Sequence, residues 1–143
     1  MHIMPHIQAT GLLVHTPVTH GHIISMVLTP KKAITPAKAL EAFRAHPRIR
    51  VVRIKDGFNS NTSLFRYARD LGNKRGDMYE IAVWEETVAM SGDDLIFAIN
   101  IPQEAVVIPE TMDGIRACTE MVTDRLTAVG LTNQYLNLVA GRS

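Results

Sequence analysis

The sequence predicts an α+β fold, an antiparallel or mixed sheet with helices on one face, and three observations carry that prediction. Short apolar runs bounded by Pro and Gly read as strands. Amphipathic helical stretches interrupt these runs without a regular strand–helix alternation. Between residues 87 and 101 two strand-like runs are joined by Ser91-Gly92-Asp93-Asp94, a hairpin connection that sets neighbouring strands antiparallel. At 143 residues, 46% hydrophobic and 20% charged, the chain has the size and composition of one domain over 1–143, with a core that needs no disulfide or metal staple.

In chain order, residues 1–8 read as a flexible tail, and 9–14 and 23–28 as strands. Thr35-Pro36 opens a helix, with Thr35 as N-cap and Pro36 where a missing N–H costs nothing. Leu40 and Phe43 form its inward stripe and Pro47 ends it. Arg48 to Lys55 alternates as a strand whose phase flips at Val51-Val52, the mark of a bulge or of burial on both sides. Asp56-Gly57 turns the chain. Asn61 or Thr62 caps a second helix running through Leu64, Phe65, Ala68 and Leu71, closed by Gly72. After a loop at 73–77 come strands at 78–84, 87–90 and 95–101. Glu110 to Val129 reads as one long amphipathic helix with the stripe Ile115, Cys118, Met121, Val122, Leu126 and Val129, stopped by Gly130.

Several function classes are disfavoured. A formal net charge of +1 exerts no global pull toward nucleic acid or membrane. No apolar run reaches the roughly 20 residues of a bilayer crossing, and the start lacks the features of a secretory signal. A cytoplasmic location is the expectation, in agreement with a single cysteine, Cys118. Residues 44–75 are locally basic and could face an anionic ligand, with Arg48, Arg50 and Arg53 as candidate anion-binding residues. Paired to carboxylates elsewhere, the same charges make a solvated face. His20 and His22, two apart on a strand, share a face and could chelate a metal, but no third ligand has convincing spacing, so no metal is assigned.

Longer blocks carry more information. Tyr67-Ala68-Arg69-Asp70-Leu71-Gly72 is followed by Asp77-Met78-Tyr79-Glu80-Ile81-Ala82-Val83-Trp84-Glu85, then by Pro102-Gln103-Glu104-Ala105. Next come Val107-Ile108-Pro109-Glu110-Thr111-Met112-Asp113-Gly114-Ile115-Arg116-Ala117 and a closing Thr132-Asn133-Gln134. With Pro17-Val18-Thr19-His20-Gly21-His22 near the start, this order resembles the C-terminal, catalytic domain of the archaeal-type (type II) phosphorylating glyceraldehyde-3-phosphate dehydrogenases. The resemblance implies an α+β catalytic domain inserted in a dinucleotide-binding fold to which the last helix returns. It also implies NAD(P) as cofactor, glycolytic aldehyde oxidation, and assembly into oligomers.

The departures limit what this chain does alone. The family nucleophile lies in a Ser-Cys-Asn-Thr-Thr segment that these residues do not contain, and no Gly-x-Gly-x-x-Gly follows a strand. Cys118, midway along a predicted helix on its apolar stripe, reads as structural. His22 matches the first histidine of the family's His-x-His, the second being Ile24, and is the surviving candidate for the catalytic base. Gln103 and Glu104 stand where the family has a loop near the nicotinamide, with Pro102 and Ala105 in place of polar neighbours. The expectation is a partial or split dehydrogenase, inactive alone, that binds no cofactor itself and uses NAD(P) when a separate chain supplies the nucleotide-binding half. The alternative is a free-standing binding or oligomerisation module that kept the fold and lost the chemistry. Both readings expect a homo-oligomer.

Overall fold

The computed structural model describes residues 21–138, so the expected tail, the strand at 9–14, His15 and His20 lie outside the described residues. The described elements are strand β1 (His22–Leu28), helix α1 (Pro36–Ala45), β2 (Ile49–Val52), α2 (Asn61–Asp70), β3 (Ile81–Trp84), β4 (Ala89–Ser91), β5 (Asp94–Ile101), α3 (Ile108–Cys118) and α4 (Arg125–Tyr135). The five strands form one mixed sheet in the order β1-β5-β3-β2, with β4 also on β5. The β1–β5, β3–β5 and β4–β5 pairs are antiparallel, whereas β2 and β3 run parallel. A parallel pair needs a crossover, and α2 lies in the connection between those two strands.

Side-chain alternation divides the core between the two faces of the sheet. On one face Val83, Leu95, Phe97 and Ile99 pack with Ala39, Leu40 and Phe43 of α1, and the Phe43 and Phe97 rings stand 5.1 Å apart between centroids. On the other face Ala82, Trp84 and Val52 pack with Leu64 and Ala68 of α2, and the Trp84 indole donates to the Phe58 carbonyl at 2.6 Å. Burying a side chain as completely as Leu64 contributes about 1.5–3 kcal/mol. The α+β class and mixed sheet stand, and the helical cover is shared between both faces. This also explains the phase flip on β2, because Ile49 belongs to the first cluster and Val52 to the second.

Local signals set most element ends. The Thr35 hydroxyl accepts from the Lys38 amide, with Pro36 in the first turn. The cap of α2 is Ser60, one residue before the expected Asn61, because Ser60 and Ser63 satisfy each other's amides in a capping box. Gly72 takes the left-handed conformation at φ 79°. The expected strand over 48–55 is shorter, since Ile54–Asp56 form a 3₁₀ turn closed by Gly57 at φ 94°.

The expected helix over 110–129 is two helices. Helix α3 ends in a Schellman arrangement, with the Met121 amide on the Arg116 carbonyl at 3.0 Å and the Glu120 amide on the Ala117 carbonyl at 3.2 Å. Glu120, not a glycine, takes the left-handed position at φ 57°. Asp124 then caps α4, accepting from the Thr127 amide at 2.7 Å, and Gly130 lies inside that helix.

Candidate functional site

The antiparallel register of β1 on β5 places His22 opposite Ile101, beside the 102–105 loop. Gly21 makes that entry possible. Its φ is +69°, and a Cβ there would lie 2.9 Å from the Ile101 carbonyl oxygen, closer than real Cβ contacts come. The His22 side chain is exposed. Buried Pro102 and Ala105 anchor the 102–105 turn, with the Ala105 and Val106 amides both on the Pro102 carbonyl, and leave Gln103 and Glu104 facing solvent. Gly21, Phe65, Asp77, Pro102, Gln103 and Glu104 line a shallow cleft there. The structure thus brings Gln103 and Glu104 into one cleft with Gly21, about 80 residues away in sequence, whereas the neighbouring His22 does not line it.

Asn100 is a polar residue one position from the end of β5, where position and type alone imply a side chain facing solvent, yet it is completely buried. Neither its amide nitrogen nor its oxygen has a hydrogen-bond partner among the described residues, and its Oδ1 lies 3.3 Å from where a Cβ on Gly21 would stand. β1 covers Asn100 on one side and β3 on the other, opposite Ile23 and Ala82. The strand-end pattern that implied exposure therefore did not apply. An unpaired buried amide costs about 1–3 kcal/mol, and this one lies behind Gly21, which lines the cleft.

The three arginines offered as anion-binding residues do not converge. Arg53 pairs with Asp56 at 2.6 Å. Arg50 lies 3.6 Å from Glu80, donates to the Tyr67 hydroxyl at 3.0 Å and stacks over that ring. Arg48 is buried and tied to Glu110 at 2.7 Å, Asp113 at 2.5 Å and the Asn133 side-chain oxygen at 3.3 Å. Carboxylates close in space hold these charges: Asp56 is three residues from Arg53, whereas the fold brings Glu80 to Arg50 and Glu110 and Asp113 to Arg48.

The Arg48 cluster joins the last two of those sequence blocks, 107–117 and 132–134. Thr132, fully buried, donates to the other Asp113 oxygen at 2.5 Å and accepts from Arg116. Burial alone would raise the Asp113 carboxyl. Hydrogen bonds from Thr132 and Arg48, with the charges of Arg48 and Arg116, outweigh it and hold the group below the usual carboxylate range. Burial would likewise lower the Arg48 guanidinium, but its bonds to Glu110 and Asp113 hold it above its ordinary value. Cys118 is the last residue of α3 and exposed, not part of a buried stripe, because the helix turns its polar face inward onto Arg48. No cluster of metal-ligating side chains occurs among the described residues.

Known proteins bear out the resemblance read from the sequence. The chain is 34% identical over 137 residues to a glyceraldehyde-3-phosphate dehydrogenase of Methanoregula boonei. It is 39% identical over 133 residues to one of Methanococcus maripaludis and 37% over 139 residues to one of Methanopyrus kandleri. These matches cover 93–96% of this chain but 38–40% of the relatives, so the chain spans about two fifths of their length. No protein-family model matches.

Proposed function

Since almost the whole chain is similar to one part of the archaeal glyceraldehyde-3-phosphate dehydrogenases, we propose that it is the C-terminal catalytic domain of such an enzyme, of the phosphorylating type II kind. The observation that carries this reading is one buried network drawn from the resembling blocks: Glu110, Asp113 and Asn133 hold Arg48, and Arg116 and Thr132 hold Asp113.

The chemistry divides between this chain and a nucleotide-binding part. Aldehyde oxidation through a thioester needs a thiolate, an imidazole that takes and returns protons, and a hydride acceptor. NAD(P) supplies the hydride acceptor when bound. Among the described residues no strand runs through a glycine-rich turn into a helix, the cradle that a dinucleotide pyrophosphate uses, and exposed Cys118 has neither a helix N-terminus nor a cation in its structural contacts. In this reading the other part holds the cofactor, and Gln103 and Glu104 face its reactive side. His22, exposed at the start of β1, is the proton-transfer residue in this reading.

In this reading the 143 residues alone show no turnover with glyceraldehyde 3-phosphate, phosphate and NAD or NADP. Adding a chain that carries a Gly-x-Gly-x-x-Gly half and a Ser-Cys-Asn-Thr-Thr segment restores it. Turnover by the purified chain that a Cys118→Ser change abolishes would refute the assignment.

A second reading, an assembly module, draws on the apolar residues left bare. Leu126 and Met121 are 77% and 74% exposed, and Ile23 and Val27 on β1 are uncovered. Exposed apolar side chains of this kind can be covered by a second copy about a two-fold axis. Leu126→Asp should dissociate such an assembly, because a carboxylate in an apolar contact costs several kcal/mol, whereas Arg66→Glu should not. A light-scattering mass of one 15.9 kDa chain at micromolar concentration would exclude self-association.

A further inference from the structure

We propose that Asn100 is the recognition group of a binding site for a primary carboxamide, a site that opens onto the cleft where β1 begins. Asn100 lies in one row across the sheet with Ala82 on β3 and Arg50 on β2, and side chains in one row share a face. It is the face under α2, where Ala82 packs with Leu64 and Ala68. Arg50, the other polar member of the row, is turned to Tyr67 and Glu80. The Asn100 nitrogen and oxygen are both buried with no hydrogen-bond partner among the described residues. Buried side-chain polar atoms in folded proteins mostly have one, so this carboxamide is placed for a use the packing does not supply.

A partner reaches it from the cleft. Gly21, Phe65, Asp77, Pro102 and Ala105 belong to the cleft lining. Gly21 lies against Asn100, since a Cβ there would stand 3.3 Å from Asn100 Oδ1 and 3.5 Å from Pro102 Cα. Pro102 and Ala105 are buried and hold their side of the cleft in place. Gly21 is the side that moves. The β1 ladder starts one residue later, with His22 opposite Ile101, and a glycine at φ +69° passes between left- and right-handed backbone without steric penalty. A shift of its peptide uncovers the carboxamide to the cleft, and a bond to the unpaired group favours that shift.

The two free atoms select the guest. An asparagine offers an acceptor and a donor on neighbouring atoms. A primary carboxamide answers both at once, donating to Oδ1 and accepting from Nδ2 in a closed pair of bonds. A carboxylate has no proton for Oδ1, and its charge is costly to bring against an apolar wall. A trans secondary amide points its N–H away from its C=O, so it makes only one of the two bonds. Phe65 gives the cleft an apolar contact for a ring carried by the carboxamide. The site goes beyond the dehydrogenase reading and needs neither His22, Gln103 and Glu104 nor a second chain.

The test titrates the full 143-residue chain with benzamide, benzoate and N-methylbenzamide, which share a ring and differ only in the polar group. Nitrogen–proton NMR follows the Asn100 side chain and the Gly21 amide. Saturable shifts at both with benzamide, and not with the other two, are expected. Asn100→Leu removes the buried polar atoms at similar volume, so it should raise the melting temperature while abolishing the benzamide shift at Gly21. Asn100→Asp should raise Kd about 10-fold or more. No saturable shift with benzamide, equal shifts with benzoate or N-methylbenzamide, or a Kd unchanged in Asn100→Leu would overturn the site. The three ligand arms use the unaltered chain, so they decide the matter even where a variant folds poorly.

Discussion

Replacing Arg48 by alanine should cost this fold about 3–5 kcal/mol, the usual loss when one partner of a buried ion pair is removed and the other charge stays behind. Arg48 is 8% exposed and binds α3 through Asp113 and α4 through Asn133, so its loss strands Asp113 against Arg116 and Thr132 alone. Glu110 is 62% exposed on its side chain, and Glu110→Gln should cost about 1 kcal/mol or less. Urea unfolding of the two variants separates the cases. A loss below 1 kcal/mol for Arg48→Ala would mean that the network contributes nothing net.

The same cluster sets a pH dependence. The folded-state pKa of Asp113 is depressed, so its contribution is fully present above the unfolded value of about 3.9 and is lost as pH falls through the folded value. Asp113→Asn should remove that acid-side slope while leaving the stability of the remaining chain less dependent on pH below about 4.

His22→Ala, assayed with a complementing nucleotide-binding part, should lower turnover by about 10²–10⁴, the range for loss of a positioned general base. Folding should be untouched, because the side chain is exposed at the first residue of β1. The pH–rate profile supplies a readout that a structural role would not move: the limb belonging to the base disappears in the variant. Unchanged turnover and profile would make His22 a bystander, and the base would then come from the other part of the enzyme.

The sequence by itself determined what rests on one or two turns of chain. Thr35-Pro36 opening α1, Gly72 closing α2 and the hairpin around Gly92-Asp93 are local hydrogen-bonding and dihedral preferences, and each is where its residues said. The ordered blocks from Tyr67 to Asn133 identified the relatives by the same token, since residue order needs no coordinates. Tertiary structure decided the rest. The break between α3 and α4 was illegible because Glu120 takes a position that glycine usually marks, and it holds there through the Arg116 and Ala117 carbonyls. Arg48 looked like a free cation because Glu110 and Asn133, its partners, lie 62 and 85 residues away. Asn100 looked exposed because β1 and β3 bury it from either side. Burial and ion pairing depend on which distant segments the packed core brings within a few ångströms, and no local pattern encodes that distance.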